Sequence, residues 1–318
     1  MTSERINILI ASDINYAPYY GVMLTSLFEN NKDSKFDVFL LTDDTWSIKE
    51  TRKFETLCKK NNSNFYVRII DDVEISDSFP LSAHLNRATY YNLNVANLLP
   101  ESVHRVIYMD GDMIVNGDIR PLWELELNDK ICAMVLAPMW REDYVYQRLD
   151  YDKKYGYYNN GTTLYDLDKL RSLHFFERSV EFIRSHKQNL VMLDQDVTNA
   201  LLHDQILRMP IEYNFQVKLF WKSHWDEYNS EFKEELIKAA QKPIIIHYSD
   251  RKKPWQLIYK GLPYNELWNK YYKLSDWTDI KKIGAPINKY CKHLLKLVLK
   301  PSLIVSSFIP NIYEYLRR

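Results

Sequence analysis

A strand-length apolar run followed by a helix-length pattern, repeated three times before residue 105, constrains this chain more than any other feature. "INILIA" (Ile6–Ala11), "FDVFLLT" (Phe36–Thr42) and "FYVRII" (Phe65–Ile70) read as strands. "YGVMLTSLFEN", "SIKETRKFETLCKKN" and "ATYYNLNVANLL" follow them with helical spacing. Ser47 and Glu50 stand at capping-box spacing, which starts the second helix. "RVIYM" (Arg105–Met109) is the fourth strand, and the Asn-Gly in "IVNGDI" predicts a tight hairpin. Further strands are expected at "ICAMVLA", "TTLYD" and the buried "PIIIHY", and a helix at "DQDVTNALLHD" with Asp194 as its N-cap. Such alternation implies an α/β fold with a mostly parallel mixed sheet and helices on both faces. Ligands of such sheets bind where loops leave the carboxyl ends of the strands. Asp13, the pair Asp110 and Asp112, and His247 each follow directly on an expected strand.

No linker or repeat interrupts the first 275 of 318 residues, so the reading is one domain, 1–275, followed by a tail, 276–318. Lysine plus arginine equals aspartate plus glutamate, 42 against 42, which removes a global electrostatic case for nucleic acid. The tail is different: from Lys281 to Arg318 there are eight basic residues and one acid, Glu314. Lys292, Lys296 and Lys300 lie four apart beside Leu295 and Leu299, the pattern of a helix at an anionic membrane surface or of a helix packed on a core. Three scattered cysteines, Cys58, Cys132 and Cys291, lack metal-ligand spacing and fit a reducing cytoplasm. "MTSER" runs straight into "INILIA", too short for a signal peptide, and no run approaches a transmembrane span.

Asp110 and Asp112 in "YMDGDMIVNGDI" are the chemical puzzle. Carboxylates this close repel unless a cation or hydrogen-bond donors compensate. The two acids with the imidazole of His247 suit a divalent cation with oxygen and nitrogen ligands, Mn2+ first and Mg2+ second. The plain alternative is a pair of solvated turn residues. An EF-hand is excluded, because Ile114 and Val115 stand where a polar ligand and a glycine are required. A haloacid dehalogenase-type phosphatase also carries D-x-D at a strand end, but Ile114 and the mid-chain position count against it.

Six segments in order, "ASDINYAPY", "RATYY", "YMDGDMIVNGDI", "YYNNGTTLYDLDKLR", "LDQDVTNALL" and "IIIHYSDRKKPW", give the chain a resemblance to glycosyltransferase family 8. They cover about Ile6 to Trp255, and the type is that of bacterial lipopolysaccharide α-galactosyl- and glucosyltransferases. The resemblance implies a Rossmann-like GT-A fold and a UDP-sugar donor. It also implies a saccharide or glycolipid acceptor and transfer with retention. It places Asp110, Asp112 and His247 on Mn2+, Lys253 on the diphosphate, and Asp13, Asn15 and Tyr16 on the nucleoside. Asn159, Gly161, Asp194 and Gln195 match donor-sugar positions, with Gln195 and Asp194 nearest the reacting carbon. An amide at Gln195 is a poor nucleophile, which favours same-face attack over a covalent intermediate.

Three positions depart from the family pattern. Asn92 stands where an arginine is usual, Leu136 or Ala137 where an aspartate is usual, and Asp250 where a glycine is usual. Arg87 lies five residues upstream of Asn92, not on quite the same helix face, and is a candidate for partial compensation of the lost cation. These departures point to a donor other than plain UDP-galactose, or to a non-catalytic UDP-sugar-binding relative. The expected location is cytoplasmic, with the tail a candidate peripheral attachment to the inner membrane face.

Overall fold

The computed structural model describes residues 5–70, 79, 87–220, 225–256, 262–278 and 280. The basic segment 281–318 and the side chain of Arg87 lie outside the described residues. No helix among the described residues is long and apolar enough to cross a membrane. The strands are β1 Ile6–Ala11, β2 Phe36–Thr42, β3 Asn64–Ile69, β4 Arg105–Met109, β5 Met113–Val115, β6 Cys132–Leu136, β7 Tyr158–Asp166, β8 Ile206–Arg208, β9 Phe215–Gln216 and β10 Ile245–His247. The chain divides into two compact units, neither continuous in sequence.

The first unit comprises Met1–Tyr20, Asn31–Gly111 and Asp118–Met209. Its seven-stranded sheet has the order β3-β2-β1-β4-β7-β6-β8. β1, β2, β3 and β4 are mutually parallel where they pair, β7 runs antiparallel to both β4 and β6, and β8 is parallel to β6. β1 and β4 are buried along almost their whole length, as strands covered on both faces must be. The expected mostly parallel mixed sheet is therefore present. Strand order reverses between β1 and β4, the kind of switch point where open α/β sheets leave room for a ligand. Asp13 and Asp110 are carried just beyond the carboxyl ends of those two strands.

The second unit comprises Gly21–Asn30, Asp112–Gly117 and Pro210–Arg318, with a three-stranded sheet β5-β10-β9. Here the hairpin expected at Asn116-Gly117 does not form. β5 pairs antiparallel with β10, Val115 opposite Ile245, and Asn116 continues that ladder by donating its N–H to the Ile244 carbonyl at 2.7 Å. The Asn116 side chain donates to Pro243 O at 3.1 Å. All three residues of β5 are buried, and a buried strand must satisfy its backbone groups, so the distant apolar run Ile245–His247 outcompetes the local turn. β10 therefore belongs to this small sheet and not to the main one, and His247 is its last residue rather than a residue beyond it.

Local signals elsewhere fare unevenly. Ser47 is the N-cap of the helix Ile48–Lys60, its hydroxyl accepting from Glu50 N at 3.2 Å. The helix expected over "ATYYNLNVANLL" is instead a 3-10 segment, Arg87–Asn94, followed by one α turn, Val95–Leu98. Tyr90 through Ala96 are all buried, so no solvent face exists to select the amphipathic α period.

Candidate active site

In the second unit, Asp112 immediately precedes β5 and is almost wholly buried. Its carbonyl accepts from Tyr248 N at 2.9 Å, which ties it to the residue after His247. His247 Nδ1 lies 2.9 Å from Asn214 Oδ1, an acceptor, so the Nδ1 position carries the hydrogen. Nε2 is thereby turned to Asp112 Oδ1 at 3.3 Å. Two electron-rich atoms at that separation are held together by a cation between them, either a proton on Nε2 or a metal ion. The hydrogen bond to the far ring nitrogen is the usual support of a metal-ligating histidine.

Lys253 places its ammonium on Asp112 Oδ2 and also donates to Tyr248 O at 2.8 Å. Its own N–H is received by Gln256 Oε1 at 3.0 Å, which closes the turn that aims it. Burial alone would raise the Asp112 carboxyl, but the charges of Lys253 and then His247 outweigh it and hold the group far below the ordinary carboxylate range. A second lysine, Lys218, lies 3.5 Å from Ser249 O. Desolvation pushes it down to about 8; Asp250 acts against that fall and the Lys253 charge adds to it. Asp250, the acid that departs from the family pattern, thus has a cation to offset it.

In the first unit, Asp110 follows β4 and extends its ladder, its N–H donating to Gly161 O at 2.8 Å. Tyr108 donates its hydroxyl to Asp110 Oδ1 at 2.7 Å. Gly111 then separates the two aspartates for a steric reason: a Cβ there would lie 2.9 Å from the Tyr20 ring and 3.1 Å from that of Tyr16. Tyr16 packs edge-on against Tyr19 at 5.0 Å. Asp13 receives the Tyr16 N–H at 3.1 Å and the Asn15 side chain at 3.3 Å, so the three expected nucleoside residues form one turn after β1.

The expected donor-sugar residues form a linked amide and carboxylate set. Asn159 donates to Gln195 Oε1 at 2.9 Å and accepts the Gly161 N–H at 3.2 Å. Asp194 Oδ2 accepts from Asn92 at 2.8 Å and from Asn160 at 2.5 Å. Burial pushes Asp194 up to about 7; the two amide donors work against that, and the charge of Asp110 adds to it. Asp194 is not the expected N-cap. It is the first residue of the helix Asp194–Leu202, and Leu193 holds the cap position with no side-chain cap of its own. The carboxylate is drawn from the local cap by two amides distant in sequence.

Asn92, where the resemblance implies an arginine, is a neutral donor to Asp194. Leu136 and Ala137 are buried, with Ala137 in an apolar cluster with Val145, Tyr146, Leu149 and Tyr157. Leu136 also lies under Gly156, whose φ of +79° and 3.0 Å approach to the Leu136 side chain leave no room for a Cβ. No carboxylate stands there. Sequence reasoning missed Gly111, Asn160, Asn214 and Lys218. Glycine between two acids was the available signal for the first.

Asp110, Asp112 and His247 each bring one ligand atom to within 4.8 Å of the others. Two carboxylates and an imidazole fixed through its far nitrogen make a ligand set that fits a divalent cation.

Comparison with known proteins gives the family and the fold. The model of the family "Glycosyl transferase family 8" matches residues 7–258. A lipopolysaccharide 1,2-glucosyltransferase of Escherichia coli K12 is 29% identical over 307 residues, covering 92% of this chain and 86% of the relative. General stress protein A of Bacillus subtilis is 26% identical, covering 87% of this chain and 96% of the relative. The solved galactosyltransferase LgtC, in complex with donor and acceptor sugar analogues, superposes with a TM-score of 0.76 at 21% identity, over 85% of this chain and 96% of its own. The fold is therefore of the GT-A type.

Proposed function

The chain belongs to glycosyltransferase family 8, and we propose that it moves a hexose from a UDP-sugar to a saccharide acceptor with retention at the anomeric carbon. The observation that carries this reading is the grouping of Asp110, Asp112 and His247 beside Lys253. Asp110, Asp112 and His247 would hold Mn2+, which when bound neutralises diphosphate charge as a Lewis acid. Lys253 would move from Asp112 to a phosphate oxygen, since its flexible stem reaches either anion. Asp13 would accept from uracil N3–H, and Tyr16 would offer its ring to the base. Asp194, Asn159 and Gly161 would orient the donor sugar. Gln195, its carbonyl oxygen engaged by Asn159, would meet the reacting face through its amide.

A neutral amide at that position supports same-face attack, in which the departing phosphate oxygen takes the acceptor proton. The curated relatives named for lipopolysaccharide transfer support a cell-surface saccharide or glycolipid as acceptor. Such an acceptor is assembled at a membrane, and the basic amphipathic sequence after Lys281 supports peripheral attachment on the cytoplasmic side. The test is release of UDP from a panel of UDP-sugars with and without Mn2+. Metal-dependent release supports the reading. UDP binding with no release from any donor would instead mark a non-catalytic relative, and no UDP binding at all would overturn both.

A further inference from the structure

The second acid of "LDQD" is placed very differently from the first. Asp196 has a side chain with no solvent exposure, and both its oxygens are fully engaged. Arg148 meets it with both terminal nitrogens, Nη1 on Oδ2 at 2.6 Å and Nη2 on Oδ1 at 2.7 Å. The Tyr157 hydroxyl donates to Oδ1 at 2.6 Å, and the backbone N–H groups of Val191 and Met192 donate to Oδ2, each at 2.7 Å. Arg148 Nη1 also donates to Asn189 O at 2.9 Å. The pair therefore grips both ends of residues 189–192, the stretch that leads into Asp194 and Gln195.

That stretch needs gripping. Leu193 has φ 43° and ψ −113°, a backbone state that a γ-branched L-residue holds only when its surroundings impose it. Leu193, at the cap position of the helix that begins at Asp194, supplies no side-chain cap. Gln195 N donates back to Met192 O at 3.0 Å, so the positions of Met192 and Gln195 are coupled. Asn199 holds the other side, donating to Gln195 O and Tyr158 O and accepting the Tyr158 N–H. A carboxylate saturated by five donors, two of them from a guanidinium, has no lone pair aimed outward for proton transfer or attack.

We infer that Arg148 and Asp196 are positioning residues, a buried clamp that fixes the Val191–Leu193 turn and so sets the placement of Asp194 and Gln195 toward the donor sugar. The link to the sugar rests on the transferase reading; the clamp itself does not. Arg148 comes from the helix Asp143–Leu149, in the segment after β6 where the family's usual acid is replaced. The clamp thus links that segment to the placement of Asp194 and Gln195.

The test uses Arg148→Lys, which keeps the charge and loses the two-pronged contact, and Asp196→Asn, which keeps the shape and loses the charge, in the full chain. Amide hydrogen exchange is measured first. Faster exchange across 189–196, with native protection in β1 and β4, is the expected result, and unchanged exchange there would overturn the clamp whatever the activity. Turnover of the preferred UDP-sugar is measured next. The expected result is a kcat about ten- to a hundredfold lower with KM for the donor and affinity for UDP nearly unchanged, because orientation and not anchoring is lost. Native kcat at native thermal stability would overturn the positioning role, as would loss of UDP affinity in step with kcat. If the wild-type protein turns over no UDP-sugar, the transferase reading fails, and the exchange result still decides the clamp.

Discussion

Lys253 and Asp112 are ion-paired across a stretch of 141 residues, the ammonium resting on Oδ2 while His247 Nε2 faces Oδ1. The pair has one cation where the proposed complex has two, the ion and the lysine. A divalent ion on Asp112 would repel the ammonium beside it, and on the proposed function Lys253 would then serve a phosphate. On the proposed function, lysine and metal would compete in the absence of nucleotide and act together in its presence.

Lys253→Met should consequently strengthen Mn2+ binding to the nucleotide-free protein and weaken binding of UDP in the presence of Mn2+, each on the order of tenfold for one charged contact. Asp112→Ala should abolish the metal-dependent part of UDP affinity. Isothermal calorimetry with Mn2+ and UDP separates these effects. A lysine variant that loses both affinities alike would show that Lys253 supports the site only structurally.

The spacer glycine offers a steric test. Gly111→Ala would drive a Cβ to 2.9 Å from the Tyr20 ring, whereas Gly117→Ala meets Ile244 at an ordinary 3.4 Å. Overpacking of this kind costs about 1–3 kcal/mol. Thermal unfolding should fall clearly for Gly111→Ala and little for Gly117→Ala, and metal-dependent UDP affinity should fall only in the first. Equal unfolding temperatures for the two variants would contradict the close approach.

Asp194 sets a pH dependence whose sign follows from its raised pKa of about 7. Between about pH 4 and pH 7 the folded protein keeps a proton that the unfolded chain has released. Stability therefore falls as pH rises through that window, by at most ~4 kcal/mol for a shift of this size. Asp194→Asn has no such proton to lose. Chemical denaturation at pH 4.5 and 7.5 of metal-free protein should show the variant gaining on the wild type as pH rises. A constant difference between the two would place an ordinary carboxylate at Asp194.

Nucleotide choice tests the turn after β1. If the Asp13 carboxylate accepts from the base, UDP should protect against thermal unfolding far better than CDP, whose ring offers no N3–H. Asp13→Asn should narrow the gap. Equal protection by UDP, CDP and GDP would count against this turn as the base site.

Donor choice tests the departures. An amide at Asn92 and apolar residues at Leu136 and Ala137 remove charged contacts worth roughly 1.5–3 kcal/mol each. UDP-glucose or UDP-N-acetylglucosamine should at least match UDP-galactose in a donor panel. A strict UDP-galactose requirement would mean that other residues have taken over those contacts.

Much of this protein was legible from local sequence because local physics decides it. Near-continuous apolar runs of strand length, such as Ile6–Ala11 and Phe36–Thr42, suit strands buried on both faces. Ser47 caps its helix through an atom three residues from its partner, and Asp110 follows from the end of β4. What stayed illegible is what distant segments decide. The Asn116-Gly117 turn was overruled because β5 satisfies its backbone groups against β10. Asp194 was drawn from its expected capping role by Asn92, 102 residues away, and Asn160, 34 residues away. Arg148 and Asp196, 48 residues apart, carried no periodicity that could announce a clamp. A buried polar group must find a partner wherever the fold supplies one, so its role is settled by tertiary proximity, whereas an apolar run carries its preference within itself.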